Sequence, residues 1–431
     1  MRRHPRELAL TVMLMAVLTV GGASAAASQV QPPDAGPAVT ATLTVDGQPI
    51  EGVRISVRRD GKDVGEVRSD ADGLVVIPVG EAGQVEVTLD VDTLPTGVTV
   101  AKDARTSLEP FVQETGRAPV VFRLVRGNEA DVSPSTFTRL AGLTFSGLRF
   151  GLVIAVAAVG LSLLFGTTRL TNFAHGEMLT FGAIATWYLN DPGGIGLPLV
   201  LAAIVGVVVS GGFGAALELG CFRPLRRRGM GMMSIMVVSI GLGFVLRYTY
   251  NIVFGANPKQ FAQYAAQAPT VSLGPVDLRP KDLIVIAVAL VVLVAVGLFL
   301  QRSRLGTAIR AVSDNADLAA SSGIDVQRVT LTVWILAGAL AGLGGILLGA
   351  TETVSWNMGQ RALLVMFAAV VVGGLGTTFG AMVGGILVGL VSDLSTFWLD
   401  PDLKIVVALG SLIIVLMFRP QGIFGVRERT G

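Results

Sequence analysis

Apolar and polar residues follow two different rhythms along this chain. Between Val39 and Leu124 they alternate in short runs: "ATLTV" at 41–45, "VRISV" at 53–57, "LVVIPV" at 74–79, "VEVTL" at 85–89 and "VVFRL" at 120–124. Successive side chains of a strand point to opposite faces, so this alternation predicts half-buried strands. Asp46-Gly47, Asp60-Gly61 and Asp72-Gly73 stand between runs, and such dipeptides favour hairpin turns. A small antiparallel β-sandwich is therefore expected over residues 35–127. A polar, turn-rich linker follows at 128–137. Beyond Thr138 the alternation stops. Apolar stretches of about 20 residues repeat, each long enough to cross ~30 Å of hydrocarbon as a helix. Spans are expected near 143–166, 174–190, 197–220, 232–254, 283–301, 328–350, 362–376, 378–396 and 402–418. The fold class that results is an all-α polytopic membrane region over 138–429, with about nine helices, preceded by a small all-β domain.

The β region has a loose family likeness. Stretches such as "DGQPIEGVRISV" and "SDADGLVVIPV" resemble carboxypeptidase-regulatory-like sandwich modules of exported proteins. "SDADG" at 69–73 lacks the longer ligand series, ending in Glu, of an EF-hand loop, so it reads as a solvated turn. Residues 1–27 have the order of an export signal. Arg2, Arg3 and Arg6 precede an apolar run from Leu8 to Val20, and small residues follow at Ala23, Ala25 and Ala27. An uncleaved anchor helix is the other reading. Either places the β domain outside the cytoplasm.

Charge refines this picture. Charged residues are 15% of the chain, against roughly 25% in soluble domains. The net charge of +2 hides an uneven distribution, because residues 28–137 hold 17 acidic against 10 basic side chains. Nothing combines basic and aromatic residues as nucleic-acid binding would require. Arginine gathers at "RPLRRR" (223–228), "QRSRLGTAIR" (301–310) and "RPQGIFGVRER" (419–429). Cationic loops stay cytoplasmic. Counting nine spans from an outside N-terminal domain brings all three segments inside, and leaves loop 255–281 outside. A lone Cys221 excludes an intramolecular disulfide and a cysteine-based metal cage.

Candidate chemistry sits at the interruptions. "LTNFAHGEM" (170–178) places Asn172, His175 and Glu177 between apolar runs. Irregular backbone at membrane depth needs protein or a water-filled cavity around it. One reading is a polar gate on a pathway. The other is capping, with Asn172 capping the next helix and Glu177 favoured in its first turn. A neutral His175 would donate to Glu177 or to a backbone carbonyl. Residues at i and i+2 face differently on a helix, so His175 and Glu177 cannot act as a close catalytic pair. A second interruption, "VVVGGLGTTFGAMVGG" (370–385), carries Gly373, Gly374 and Gly376. Two interrupted segments point toward a transporter with broken helices. Pairs such as Gly338/Gly342 and Gly385/Gly389 allow close helix approach. The other charges, Arg149, Glu218, Arg247 and Asp393, fall toward span ends, where they can snorkel or pair. Between the interruptions, Thr307 to Ala320 predicts one amphipathic helix that Gly323 stops.

Four stretches then stand in a recognisable order: "LTNFAHGEM", "LGTAIRAVSDNADLAASSGID", "NMGQRALLVMFAAVVVGGLGTTFGAMVGG" and "FRPQGIFG". Together they resemble the LivH-type permease of branched-chain amino-acid ABC importers, from about 140 to 429. The resemblance implies a non-enzymatic membrane subunit without a cofactor or metal. It implies partners: ATP-binding cassette ATPases, a second, LivM-type permease and an extracytoplasmic binding protein. It places Gly306, Arg310, Asp314 and Gly323 in the loop that receives the ATPase stroke. The 431 residues contain no G-x-x-x-x-G-K-[ST], so energy comes from a partner or an ion gradient. Permeases for urea or short amides share the pattern, and a gradient-driven transporter is the remaining alternative.

Overall fold

The computed structural model describes residues 37–45, 48–59, 61–81, 83–100, 105–112, 117–120, 122, 124–127, 135–191, 195–264, 271–273 and 276–425. The expected signal at 1–27, Asp46-Gly47, most of the linker and Arg427 lie outside them. The chain divides into two compact units, residues 29–137 and a larger unit that contains 138–431.

The smaller unit is all-β. Its larger sheet holds β2 (Arg54–Arg59), β3 (Lys62–Arg68), β5 (Glu86–Leu89) and β6 (Ser107–Leu108) in the order β6-β5-β2-β3. A second sheet has β1 (Ala38–Thr42) between β7 (Arg117–Val120) and β4 (Leu74–Pro78). Alternate residues of these strands, among them Val39, Ile55, Val57, Ile77 and Val87, bury into one core. Three features depart from the expected pattern. β1 pairs with β7 in parallel, although its pairing with β4 is antiparallel. β3 carries almost no buried position, so apolar alternation could not reveal it; only backbone pairing with β2 makes it a strand. Asp72-Gly73 closes no two-residue hairpin: it belongs to a five-residue link from β3 to β4, in different sheets. Asp70 Oδ1 accepts there from the Asp72 and Leu74 N–H groups, which occupies it as a turn carboxylate.

The larger unit is helical. Its long helices are α1 (Thr136–Thr168), α3 (Leu199–Arg227), α4 (Met232–Phe254), α5 (Pro280–Arg302), α8 (Val326–Thr351), α10 (Thr378–Ser395) and α11 (Lys404–Phe418, extended N-terminally to Pro401 by a 3₁₀ turn). These seven are long and apolar enough to cross a membrane. Helices also form at the two remaining expected spans, as α2 (His175–Asn190) and α9 (Met358–Gly373), but each has 16 residues. That is about 24 Å of helix, short of the hydrocarbon thickness. Each of these two is preceded by non-helical chain, residues 169–174 and 352–357. α1, α2 and α8 form the interior. Large apolar residues such as Val208, Ile252, Val291 and Ile413 stand exposed on α3, α4, α5 and α11, as a hydrocarbon-facing rim requires.

The cationic segments meet at one end of this bundle. Arg223 and Arg227, at the end of α3, donate to Gln327 at the start of α8 at 2.5 and 2.9 Å. The expected single helix at 307–320 is two helices, α6 (Arg304–Asp314) and α7 (Ala316–Ser321). Asn315 is extended, with φ −156°, and its Oδ1 caps α7 through the Leu318 N–H at 2.9 Å. Asparagine prefers that capping role to a helix interior. Ser303 and Asp325 cap α6 and α8 in the same way. Gly323 closes α7 at φ +87°, with Gly323 and Ile324 N–H bonded to Ala320 and Ala319 carbonyls, a C-terminal stop that favours glycine.

Candidate functional site

α1 ends at Thr168, and Arg169 takes φ 54°, alone among the described non-glycine residues in being positive. This left-handed residue turns the chain back on itself. Its guanidinium donates to the Ser313 carbonyl of α6 at 3.2 Å. Residues 169–174 then run without regular helix, and six extended residues reach about 20 Å. α2 starts at His175, whose Nε2 lies 3.2 Å from the Ala157 carbonyl. Ala157 stands eleven residues before the end of α1, about 16 Å along a helix. α2 thus begins inside the bundle, after a re-entrant segment.

The three polar residues of this segment face three ways. His175 is fully buried. The Ala157 carbonyl can only accept, so the imidazole proton stands on Nε2, and Nδ1 has no protein partner. Glu177 turns toward α4: its Oε1 accepts from Arg247 Nε at 3.0 Å and Nη2 at 2.9 Å. Tyr250 donates its hydroxyl to the Glu177 carbonyl at 3.1 Å. Arg247 also lies over the Phe244 ring. Asn172 is fully buried and does not cap α2. It sits too far ahead of the helix, whose N-cap position is Ala174, without a side-chain cap bond. Instead its Oδ1 accepts from the Ala174 N–H at 3.0 Å, an Asx-type turn that shapes the entry. Asn172 Nδ2, His175 Nδ1 and Glu177 Oε2 are buried without a protein partner. The segment thus offers a donor, an acceptor and a carboxylate oxygen in the bundle interior.

A second re-entrant pass meets the first. α8 ends at Thr351, residues 352–357 carry the chain inward, and α9 starts at Met358. Gly176 and Gly359 touch backbone to backbone, and a Cβ on either would strike the other's carbonyl oxygen. The Gly359 N–H donates to Thr180 Oγ1 at 3.0 Å. The segment that meets the start of α2 is therefore the start of α9, at Gly359, and not the glycine-rich stretch. Gly373, Gly374 and Gly376 end α9 at its opposite end, where Phe424 and Ile423 N–H bond to the Gly373 and Val372 carbonyls. Gly374 and Gly376 have φ +114° and +78°.

Gly376 lines a separate cavity of about 370 Å³, together with Ser162, Arg310, Asp314, Thr378 and Phe424. Two residues expected in different roles, Gly376 and Arg310, thus share one cavity, while Asn172, His175 and Glu177 do not line it. Arg310 donates to the Leu300 carbonyl and to Thr307. Gly306 packs on the Leu300 backbone, and Gly323 is exposed on its own turn.

Sequence reasoning passed over Arg247 and Arg169 as site residues. Arg247 had a visible signal, being a lone charge inside an apolar stretch, where a partner is expected. The structure places it within α4 and not at its end. The other three charges are paired too: Arg149 with Asp282 at 2.7 Å, Asp393 with Lys404 at 2.5 Å, and Glu218 with Arg226. Arg169 left no signal, since its backbone conformation is a tertiary outcome.

Comparison with known proteins extends these observations. The family described as branched-chain amino acid transport system / permease component matches residues 143–416. The high-affinity branched-chain amino acid transport system permease protein BraD of Pseudomonas aeruginosa is 30% identical over 297 residues, 65% of this chain and 94% of that protein. Its counterpart LivH of Escherichia coli is 29% identical over 293 residues, again 65% and 94%. The E. coli permease LivM is 26% identical over 300 residues, 63% of this chain and 68% of that protein. The match begins just inside α1 and takes in both re-entrant passes and the α6–α7 segment, and on that ground the chain belongs to the family of branched-chain amino acid transport permease components.

Proposed function

We propose that this chain is one membrane subunit of an ABC importer for branched-chain amino acids. A binding protein outside would deliver the solute, a LivM-type permease would complete the path, and cytoplasmic ATPases would drive it. The observation that carries this reading is the family match over 143–416, in a bundle with two re-entrant passes meeting at its interior. In this reading the arginine-rich end is cytoplasmic, and the β unit faces outside, behind an export signal. Neither catalysis nor a bound cofactor forms part of it.

The proposed coupling runs through contacts already described. An ATPase docks on the exposed faces of α6 and α7, near Arg310, Asp314 and Gly323. Motion of α6 reaches the re-entrant segment through Arg169, which holds the Ser313 carbonyl. Gly376 lets the α9–α10 turn yield beside Arg310. At the interior, Asn172, His175 and Glu177 form a polar constriction that opens when the segment moves. The test is reconstitution in vesicles with co-purified ATPases and the binding protein. ATP-dependent leucine uptake is expected. Uptake that follows an ion gradient without ATP hydrolysis, or of urea alone, would overturn the proposal.

A further inference from the structure

At the bundle end away from the arginine-rich segments lies a second cavity, of about 270 Å³, among α1, α8, α9, α10 and α11. Phe150, Leu348 and Val365 supply apolar wall, and charge of both signs comes from Arg149, Arg361 and Lys404 and from Glu352, Asp393 and Asp402. Asp393 is 2% exposed. Its Oδ1 takes Lys404 Nζ at 2.5 Å, while its Oδ2 is buried without a donor. A carboxylate oxygen can only accept, and a buried one without a donor is costly. Glu352 brings a second carboxylate, which none of the described hydrogen bonds or ion pairs engages. Arg361 engages only Nη2, with Ser355 at 2.9 Å and Asn357 at 3.5 Å. Its remaining nitrogens suit the planar geometry of a carboxylate.

A buried carboxylate oxygen without a donor, a second carboxylate in the same cavity, a guanidinium with open nitrogens and an apolar wall are the complement of one chemical class. We propose that this cavity receives a branched-chain amino acid as its zwitterion. The ammonium lies between Asp393 and Glu352, the carboxylate on Arg361, and the side chain against Phe150, Leu348 and Val365. The assignment rests on the transport reading above and deepens it, since neutral urea brings no ammonium to the open Asp393 Oδ2 and an amine alone brings no carboxylate to the open nitrogens of Arg361.

The test uses the assembled transporter in nanodiscs, without binding protein, carrying Ser146→Cys in a Cys221→Ser chain. Ser146 lines the cavity, so a bound solute shields the new thiol from alkylation, read by mass spectrometry on its peptide. L-Leucine at ten times its Kd leaves about a tenth of sites open and slows alkylation about tenfold. Isoamylamine and 4-methylpentanoate, each lacking one charge, leave the rate unchanged. Asp393→Asn and Arg361→Gln each abolish protection at that concentration. Glu352→Gln, which breaks no described bond, weakens it as well and stands in if Asp393→Asn fails to assemble. No protection by leucine, or equal protection by either analogue or by urea, overturns the site. Wild-type uptake in vesicles is measured in parallel. Uptake without protection removes this site alone, whereas absent uptake of every branched-chain amino acid removes the transport reading.

Discussion

The Glu177–Arg247 pair ties the re-entrant segment to α4 across 70 residues of sequence. Both groups are buried, so removing one leaves the other charged and alone. Glu177→Gln is expected to destabilise the chain by about 3–5 kcal/mol. Glu177→Gln with Arg247→Met is expected to recover much of that loss, because burying neither charge avoids both desolvation penalties. Thermal unfolding in detergent measures both, and a double variant no more stable than the single one would show that the pair's own geometry matters. Asn172→Asp is expected to be severe, since a charge would enter a fully buried site. Asn172→Ala loses one turn hydrogen bond and costs about 1 kcal/mol. His175→Ala separates two roles. If the imidazole only braces Ala157, the yield of assembled transporter falls while uptake per complex stays normal. If it lines the path, uptake per complex falls.

At the scale of elements, α6 and α7 are short helices set by Ser303 and Asn315 as caps and Gly323 as stop. A Cβ at Gly323 meets no atom within 4 Å, so Gly323→Ala costs only the left-handed backbone, about 1–2 kcal/mol. Its effect should appear as ATP hydrolysis less tightly linked to uptake. Arg310→Glu both inverts a charge beside the cavity and releases the Leu300 carbonyl. Normal uptake in that variant, with the ATPase still bound, would remove the docking role. The crossing of α2 and α9 obeys a different constraint. Gly359→Ala is expected to force these helices apart, at a cost of about 1–3 kcal/mol from overpacking. That is readable as a lowered unfolding temperature with the helix content kept.

At the scale of the molecule, the seven long helices and two re-entrant passes among the described residues place the arginines of 223–228 and 302–310 at one end. Cysteines introduced at 226 and 310, in a Cys221→Ser background, should resist an impermeant reagent in intact cells and react once the membrane is opened. Labelling of residue 310 from outside would reverse the assignment. The β unit has its own core, so it should fold without the bundle. Deleting 35–127 while keeping the first 27 residues is expected to leave some uptake. Complete loss at normal membrane levels would make that unit integral to solute delivery.

Much of this molecule is legible from its sequence. Alternation and apolar length separate the strands from the helices, because burial periodicity is a local property. Arginine bias marks the segments that share one end. Asn172, His175 and Glu177 stand out because polar groups are scarce among apolar runs. Strand β3 did not, since an edge strand has little to bury. Neither did the break at Asn315, where one cap outweighed an alanine-rich helical stretch. The Glu177–Arg247 pair, the left-handed Arg169, and the meeting of α2 with α9 at Gly176 and Gly359 lie between distant segments. Tertiary structure alone decided them: each depends on which groups lose water together, and chain composition does not encode that pairing locally.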